Sequence, residues 1–194
     1  MNSTTSFLPS RIVSLCIVGL FILSAACTQP STMDAVAPVS KVEHPEWSKN
    51  ATIYEVNVRQ YTPEGTFNAF SEHLPRLKEM GVDILWFMPI HPIGKINRKE
   101  TERSMGSYYS VQDYKAVSSD YGTEEDFRRM VEQAHGLGMK VILDWVPNHT
   151  AWDNPWTENK EWYVLNEVGD FIPPLGTDWT DVIQLDYTND EMRA

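Results

Sequence analysis

The chain has 194 residues, 27 of them acidic against 16 basic, and a formal net charge of −11. Its balance of apolar and charged residues is that of a globular protein with one sizeable core, which excludes a wholly disordered chain. A surface this negative repels nucleic acid, and no basic cluster offers a seat to an anionic substrate, so the expected ligand is neutral or cationic.

The N-terminus stands apart. Residues 12–23, IVSLCIVGLFIL, follow Arg11 and precede Ser24-Ala25-Ala26-Cys27. A positive flank, a short apolar run and small residues at a cleavage point form the layout of a secretory signal, and the run is too short to span a bilayer comfortably. Residues 1–26 are therefore expected to be a signal peptide, whose loss removes Arg11 and leaves the mature chain one unit more negative. The LSAAC stretch at 23–27 resembles the lipobox of bacterial lipoproteins, with Ser24 where an aliphatic residue is commonest. Lipidation would make Cys27 an anchor to a bacterial membrane and place the protein in the cell envelope, at the outer membrane or in the periplasm. Cleavage by the ordinary signal peptidase and free secretion is the alternative. Cys16 leaves with the signal, so no intramolecular disulfide is expected. Residues 28–46, rich in Thr, Ser, Pro and Ala, read as a flexible tether.

From Trp47 the pattern alternates. Residues 52–58, TIYEVNV, predict a strand. In 66–80, Phe67, Phe70, Leu74, Leu77 and Met80 mark one helix face, with Gly81 at its C-terminus and Pro75 kinking it or starting a new segment. Residues 82–90, VDILWFMPI, are almost continuously apolar, as in a strand covered on both faces. A long polar loop, 91–121, follows. Thr123 caps a second helix with acids in its first turn, and Phe127, Met130, Val131, Ala134 and Leu137 give it an apolar stripe that Gly138 ends. Residues 139–146, MKVILDWV, predict a third strand.

Strands alternating with helices, without hairpin signals, imply right-handed βαβ crossovers and a parallel sheet, which binds ligands beyond the carboxyl ends of its strands. Thr188-Asn189-Asp190-Glu191 reads as a capping box opening a further helix. Three residues follow it, too few for an independent helix, so the chain is expected to be a fragment of a longer protein.

The stretch DWVPNHT at 144–150 closes the third strand. Taken alone, Asp144, Asn148 and His149 are as compatible with loop capping as with chemistry, and a zinc site would want a further His or Cys. Their surroundings carry more. D-x-x-x-N-H at Asp144, Asn148 and His149 is similar to the first conserved region of the α-amylase family, glycoside hydrolase family 13. GSYYSVQDY at 106–114, GVDILWFMPI at 81–90 and GTDWTDVIQLDYTNDEMR at 176–193 resemble other segments of that family, in family order, over most of residues 47–193.

The resemblance implies an α/β chain forming the first three strands of a (β/α)8 TIM barrel, with 147–187 the start of the inserted domain B. It implies that Tyr109 stacks on the sugar at the cleavage subsite, that His149 hydrogen-bonds the same sugar, and that Asn148 ligates a structural calcium in many members. Asp144 would brace an arginine next to the nucleophile. The partner implied is an α-glucan or maltooligosaccharide, which offers hydroxyls and an apolar ring face to polar groups and aromatics. Trp145, Trp152, Trp156, Trp162 and Trp179 lie at or beyond the motif; most are expected in a domain B core, one or two in the cleft. Calcium takes roughly 6–8 oxygen ligands, and Asp178, Asp181 and Asp186 are nearby acids only.

Retaining cleavage needs two carboxyl groups roughly 5 Å apart. The family carries its nucleophile, acid/base and third acid after strands four, five and seven, which would fall beyond Ala194. The expectation is thus a parent α-glucan hydrolase or transglycosylating relative and an inactive, aggregation-prone piece. Two alternatives stay open: a non-catalytic amylase-like barrel acting as a binding or scaffold subunit, and a small α/β protein complete at this length.

Overall fold

The computed structural model describes residues 43–101 and 104–194. The signal segment, Cys27 and nearly all of the tether lie outside the described residues.

Strand β1 (Ile53–Val56) leads into a short helix α1 (Val58–Tyr61), then α2 (Phe67–Ser71) and α3 (Leu74–Glu79). The single helix face expected over 66–80 is thus divided. Thr66 caps α2 by accepting from the Ala69 amide at 3.3 Å, and Pro75 sits in the first turn of α3, where its missing N–H costs nothing. Gly81 at φ +90 then closes α3 in the left-handed conformation. Strand β2 (Ile84–Phe87) follows.

The polar loop 91–121 holds more order than expected. Strands β3 (Glu100–Thr101) and β4 (Ser104–Met105) pair antiparallel, and Ile93 bridges Val111. The sequence carries no hairpin signal here, and these paired strands are only two residues long. Helix α4 (Glu124–Gly136) forms as expected, with a reciprocal box between Thr123 and Asp126 and with Gly138 at φ +77 beyond its end. Strand β5 (Lys140–Leu143), β6 (His149–Ala151), β7 (Val182–Gln184) and the short α5 (Asp190–Arg193) complete the order. Asn189, not Thr188, caps α5, accepting from the amides of Glu191 and Met192. Thr188 instead turns back to Asp186, bonding its carboxylate with both N–H and hydroxyl.

The main sheet is parallel in the order β1-β2-β5, with Ile53, Ile84 and Lys140 in register. Successive strand side chains alternate in direction, so Val56, Leu85 and Phe87 all face the helices. They are fully buried there with Phe67, Phe70, Leu77, Met130 and Ala134. Edge-on aromatic pairs tie this core together, with Phe70 to Phe87 at 5.4 Å and Phe87 to Phe127 at 6.0 Å. The opposite sheet face is open: Ile53 is 56% and Ile142 44% exposed. Only the segment 82–90 was expected to be covered on both faces, and in β2 the residues facing away from the helices, Ile84 and Trp86, are half-buried.

The excursion after β5 has its own small core. Strands β6 and β7 pair antiparallel, with His149 opposite Gln184, and Tyr163, Ile183 and Leu185 are buried beneath Trp152, Trp156, Trp162 and Phe171. Ser110 and Val111, both buried, join the pieces. The Ser110 carbonyl accepts from Gly94, its hydroxyl donates to the Asp181 carbonyl at 2.8 Å, and the Val111 carbonyl accepts from Ala151 and from the Asn154 side chain.

Candidate functional site

The DWVPNHT segment begins as a continuation of the sheet, the Asp144 amide donating to the Phe87 carbonyl at 2.8 Å. Pro147 cannot donate, and the chain turns out of the sheet there. Tyr114 holds the turn: its hydroxyl lies 2.6 Å from the Val146 carbonyl and 2.8 Å from the His149 carbonyl. The Tyr187 hydroxyl donates to the Pro147 carbonyl. His149 is thereby delivered into β6 with its ring beneath the loop that carries Tyr109.

Tyr109, Asp144 and His149, three of the residues singled out in the sequence, meet here. The Tyr109 hydroxyl donates to Asp144 Oδ2 at 3.0 Å. Burial, then the hydrogen bond to Asp144 and the negative charge it carries, push the phenol up to about 12, so it stays protonated at neutral pH. His149, only 5% exposed, places Nε2 at 3.1 Å from the Tyr109 carbonyl. A carbonyl only accepts, so Nε2 carries the proton; Nδ1, 3.0 Å from the Asn148 amide nitrogen, is then the acceptor. Burial holds the imidazole below its ordinary value, opposed by the Tyr109 carbonyl and the charge of Asp181. The neutral ring with a fixed tautomer is a hydrogen-bonding group, not a charge.

Asn148 lies beside this pair. It is exposed and turns its amide toward His149. Among the described residues no three His, Cys, Asp or Glu side chains gather to hold a metal ion, and one Asp186 oxygen is occupied by Thr188. Calcium needs roughly six or more oxygens, amide and backbone carbonyls included.

Tyr109 and His149 open onto a cavity of about 540 Å³, also lined by Lys99, Ser107, Trp179 and Asp181. That volume is in the range of small-ligand sites, roughly 300–1,000 Å³. The Trp179 ring meets His149 edge to face at 5.7 Å and remains 46% exposed. Its neighbours are tied on both sides: Lys99 Nζ donates to the Asp178 carbonyl at 3.2 Å, and Trp152 Nε1 to the Thr180 carbonyl at 3.0 Å. Of the five tryptophans expected around the site, three pack against the small core, Trp179 lines the cavity, and Trp145 is 76% exposed. Lys99 and Asp181 were not singled out as cavity residues, because their place depends on how two loops fold against each other.

A parallel βαβαβ unit whose cavity lies beyond the carboxyl ends of its strands defines the opening part of a (β/α)8 barrel. Comparison with known proteins makes the assignment specific. The description "Alpha amylase, catalytic domain" matches residues 28–182, and the chain belongs to the alpha-amylase family. An alpha-amylase from Lactobacillus plantarum of known structure is 44% identical, with a TM-score of 0.70 over 74% of this chain and 33% of that one. A trehalose synthase from Thermus thermophilus is 36% identical over 136 residues, 63% of this chain and 13% of the relative. A probable oligo-1,6-glucosidase 2 from Bacillus subtilis (strain 168) is 30% identical over 121 residues, 60% and 20% respectively. The chain thus spans about a third of the solved structure and a fifth or less of these curated relatives.

Proposed function

We propose that the cavity holds glucose units of an α-glucan or maltooligosaccharide, and that the whole protein is a retaining α-glucan hydrolase or a transglycosylating relative. One observation carries this reading: a protonated phenol and a neutral, tautomer-fixed imidazole, linked through the Tyr109 carbonyl, line one cavity of about 540 Å³. Tyr109 supplies the flat surface for the apolar face of a sugar ring, Lys99 and Asp181 supply hydrogen-bonding groups for its hydroxyls, and His149 fixes the loop that carries Tyr109. Asp144 acts through Tyr109, fixing the phenol's orientation. The names of the relatives, an alpha-amylase, a trehalose synthase and an oligo-1,6-glucosidase, support the substrate class.

Among the described residues the cavity wall carries one carboxylate, Asp181, where retaining cleavage requires a pair roughly 5 Å apart. The reading is therefore that this chain by itself binds without cleaving. Incubation of the purified 194-residue chain with maltotriose tests both parts. Saturation-transfer NMR should show sugar protons contacting the protein, and chromatography should show the trisaccharide intact. Absence of any transfer removes the binding reading, and released glucose or maltose removes the second.

We also propose that Cys27 carries a lipid and holds the protein in a bacterial envelope. Radiolabelled palmitate incorporated during expression and lost in Cys27→Ser supports this; equal labelling of both refutes it.

A further inference from the structure

We infer that Arg59 is a positioning residue for the cavity: acting through Gly106 and Tyr108, its guanidinium presets the loop that presents Tyr109. The ligand for which Tyr109 is preset rests on the glucan reading above; the fastening of the loop does not.

The loop has two sides. Gly106, Ser107 and Tyr109 line the cavity, while Tyr108 is held by Asn57 and Arg59, just beyond the carboxyl end of β1. The Arg59 guanidinium carbon lies 3.9 Å from the centre of the Tyr108 ring, Nε donates to the Tyr108 hydroxyl at 3.0 Å, and Nη2 donates to the Gly106 carbonyl at 3.2 Å. One flat group therefore grips both the ring of Tyr108 and the backbone of Gly106. A lysine ammonium is a point charge with neither plane nor fork, and does not make this double contact. Asn57 Nδ2 donates to the same hydroxyl at 3.0 Å.

Arg59 is itself held. Gly65, at φ +64, folds so closely over it that an added methyl would stand 3.0 Å from the Arg59 carbonyl oxygen. Across the loop, a methyl on Gly106 would stand 2.8 Å from Arg98 Cγ and 3.1 Å from Ile93 Cγ2, so the entry to the loop is pressed from both sides. From there the chain turns tightly, the Ser110 amide donating to the Ser107 carbonyl at 3.1 Å around Tyr108 and Tyr109. Holding Gly106 and Tyr108 thus sets where the next phenol, that of Tyr109, stands.

Stability alone does not favour this arrangement. Arg59 Nη1 and Asn57 Oδ1 are buried with no hydrogen-bond partner among the described residues. Leftover polar groups cost free energy, and such costs are retained where a site needs a fixed shape.

The test uses the 194-residue chain, read by amide hydrogen exchange and by NMR titration with maltotriose. Arg59→Lys keeps the charge and removes the plane and the fork. It should quicken exchange at Ser110 and weaken maltotriose, each about three- to tenfold, the scale of one lost cation–π contact. Val164, whose amide is held by the Gln184 carbonyl at 3.0 Å beside the small core, should stay within about twofold. Tyr108→Phe, which keeps the stacked ring and loses the hydroxyl, should fall between, with Ser110 about two- to threefold faster. Unchanged exchange at Ser110 in Arg59→Lys overturns the inference. Equal quickening at Ser110 and Val164 overturns it too, making Arg59 a general prop of the fold. Faster exchange at Ser110 with unaltered maltotriose affinity also overturns it, because the loop is then not held for the ligand. If circular dichroism shows Arg59→Lys unfolded, Tyr108→Phe decides by the same exchange readout. Failure of the unsubstituted chain to bind maltotriose removes the glucan reading, and the exchange at Ser110 and Val164 still decides the role of Arg59.

Discussion

Removing one oxygen atom from Tyr114 should loosen the whole turn that presents His149. In Tyr114→Phe the ring keeps its stacked contact with Trp156 at 5.1 Å and its edge contact with His91 at 5.6 Å, so packing is conserved and only the hydroxyl is lost. That hydroxyl has one hydrogen and serves two carbonyls, Val146 at 2.6 Å and His149 at 2.8 Å, in residues 8% and 5% exposed. A neutral hydrogen bond contributes about 0.5–1.5 kcal/mol, and a buried carbonyl left unserved costs about 1–3 kcal/mol. The neighbouring cleft, lined by Tyr114 and Val146, gives water some access and moderates the second figure. The expected loss is about 1–2 kcal/mol, read as a lower urea midpoint at unchanged slope. Amide exchange at Thr150 and Ala151 should quicken as the start of β6 frays. A stability within about 0.3 kcal/mol of the unsubstituted chain, with exchange unchanged, would show that the phenol fills space there and does not brace the turn.

His149 should give stability a pH dependence of definite sign. Its folded pKa lies below the ordinary 6.5, so the unfolded chain takes up the proton first. Stability is complete above about that value, falls as the pH drops below it, and levels off under the folded pKa. His149→Gln should flatten this part of the pH profile, and an unaltered slope would refute the assignment. Gly94→Ala should destabilise by about 1–3 kcal/mol, because the new methyl would stand 2.3 Å from Ala151 Cβ, a group with no rotamer to yield. Thermal melts at wild-type temperature would show that the loop shifts freely. Tyr109, followed by NMR of labelled tyrosine, should titrate near 12, and Asp144→Asn should bring it down by removing the charge beside it. A midpoint at the ordinary 10.0 would contradict the buried pairing.

The parts of the fold that depend on local pattern were legible. Thr123 and Gly138 bracket α4 because capping chemistry is written in adjacent residues, and the β-branched and aromatic runs locate the centres of β1, β2 and β5. The strand ends ran one to three residues short of expectation, since flanking apolar residues such as Val82 and Ile90 are buried without joining the ladder. The hairpin β3–β4 left no signal, because two residues of pairing need no periodicity. Within the site, Tyr109, Asp144 and His149 stand in recognisable motifs. The cavity roles of Lys99 and Asp181 and the double carbonyl contact of Tyr114 arise only when segments distant in sequence are folded together. The open sheet face was hidden for a related reason: Ile53 and Ile142 read as core residues by type, and type does not say what covers them.

Ser110 and Val111, the two residues after Tyr109, are bonded at once to Gly94, Ala151, Asn154 and Asp181. The wall bearing the phenol and the wall bearing the indole are therefore not hinged separately but share a single rivet. A ligand entering this cavity finds its receptor shape already set by folding, so recognition here requires little rearrangement of the walls. Its residence time is then set by contacts broken on leaving, so substitutions on either wall should be felt as faster departure more than as slower arrival.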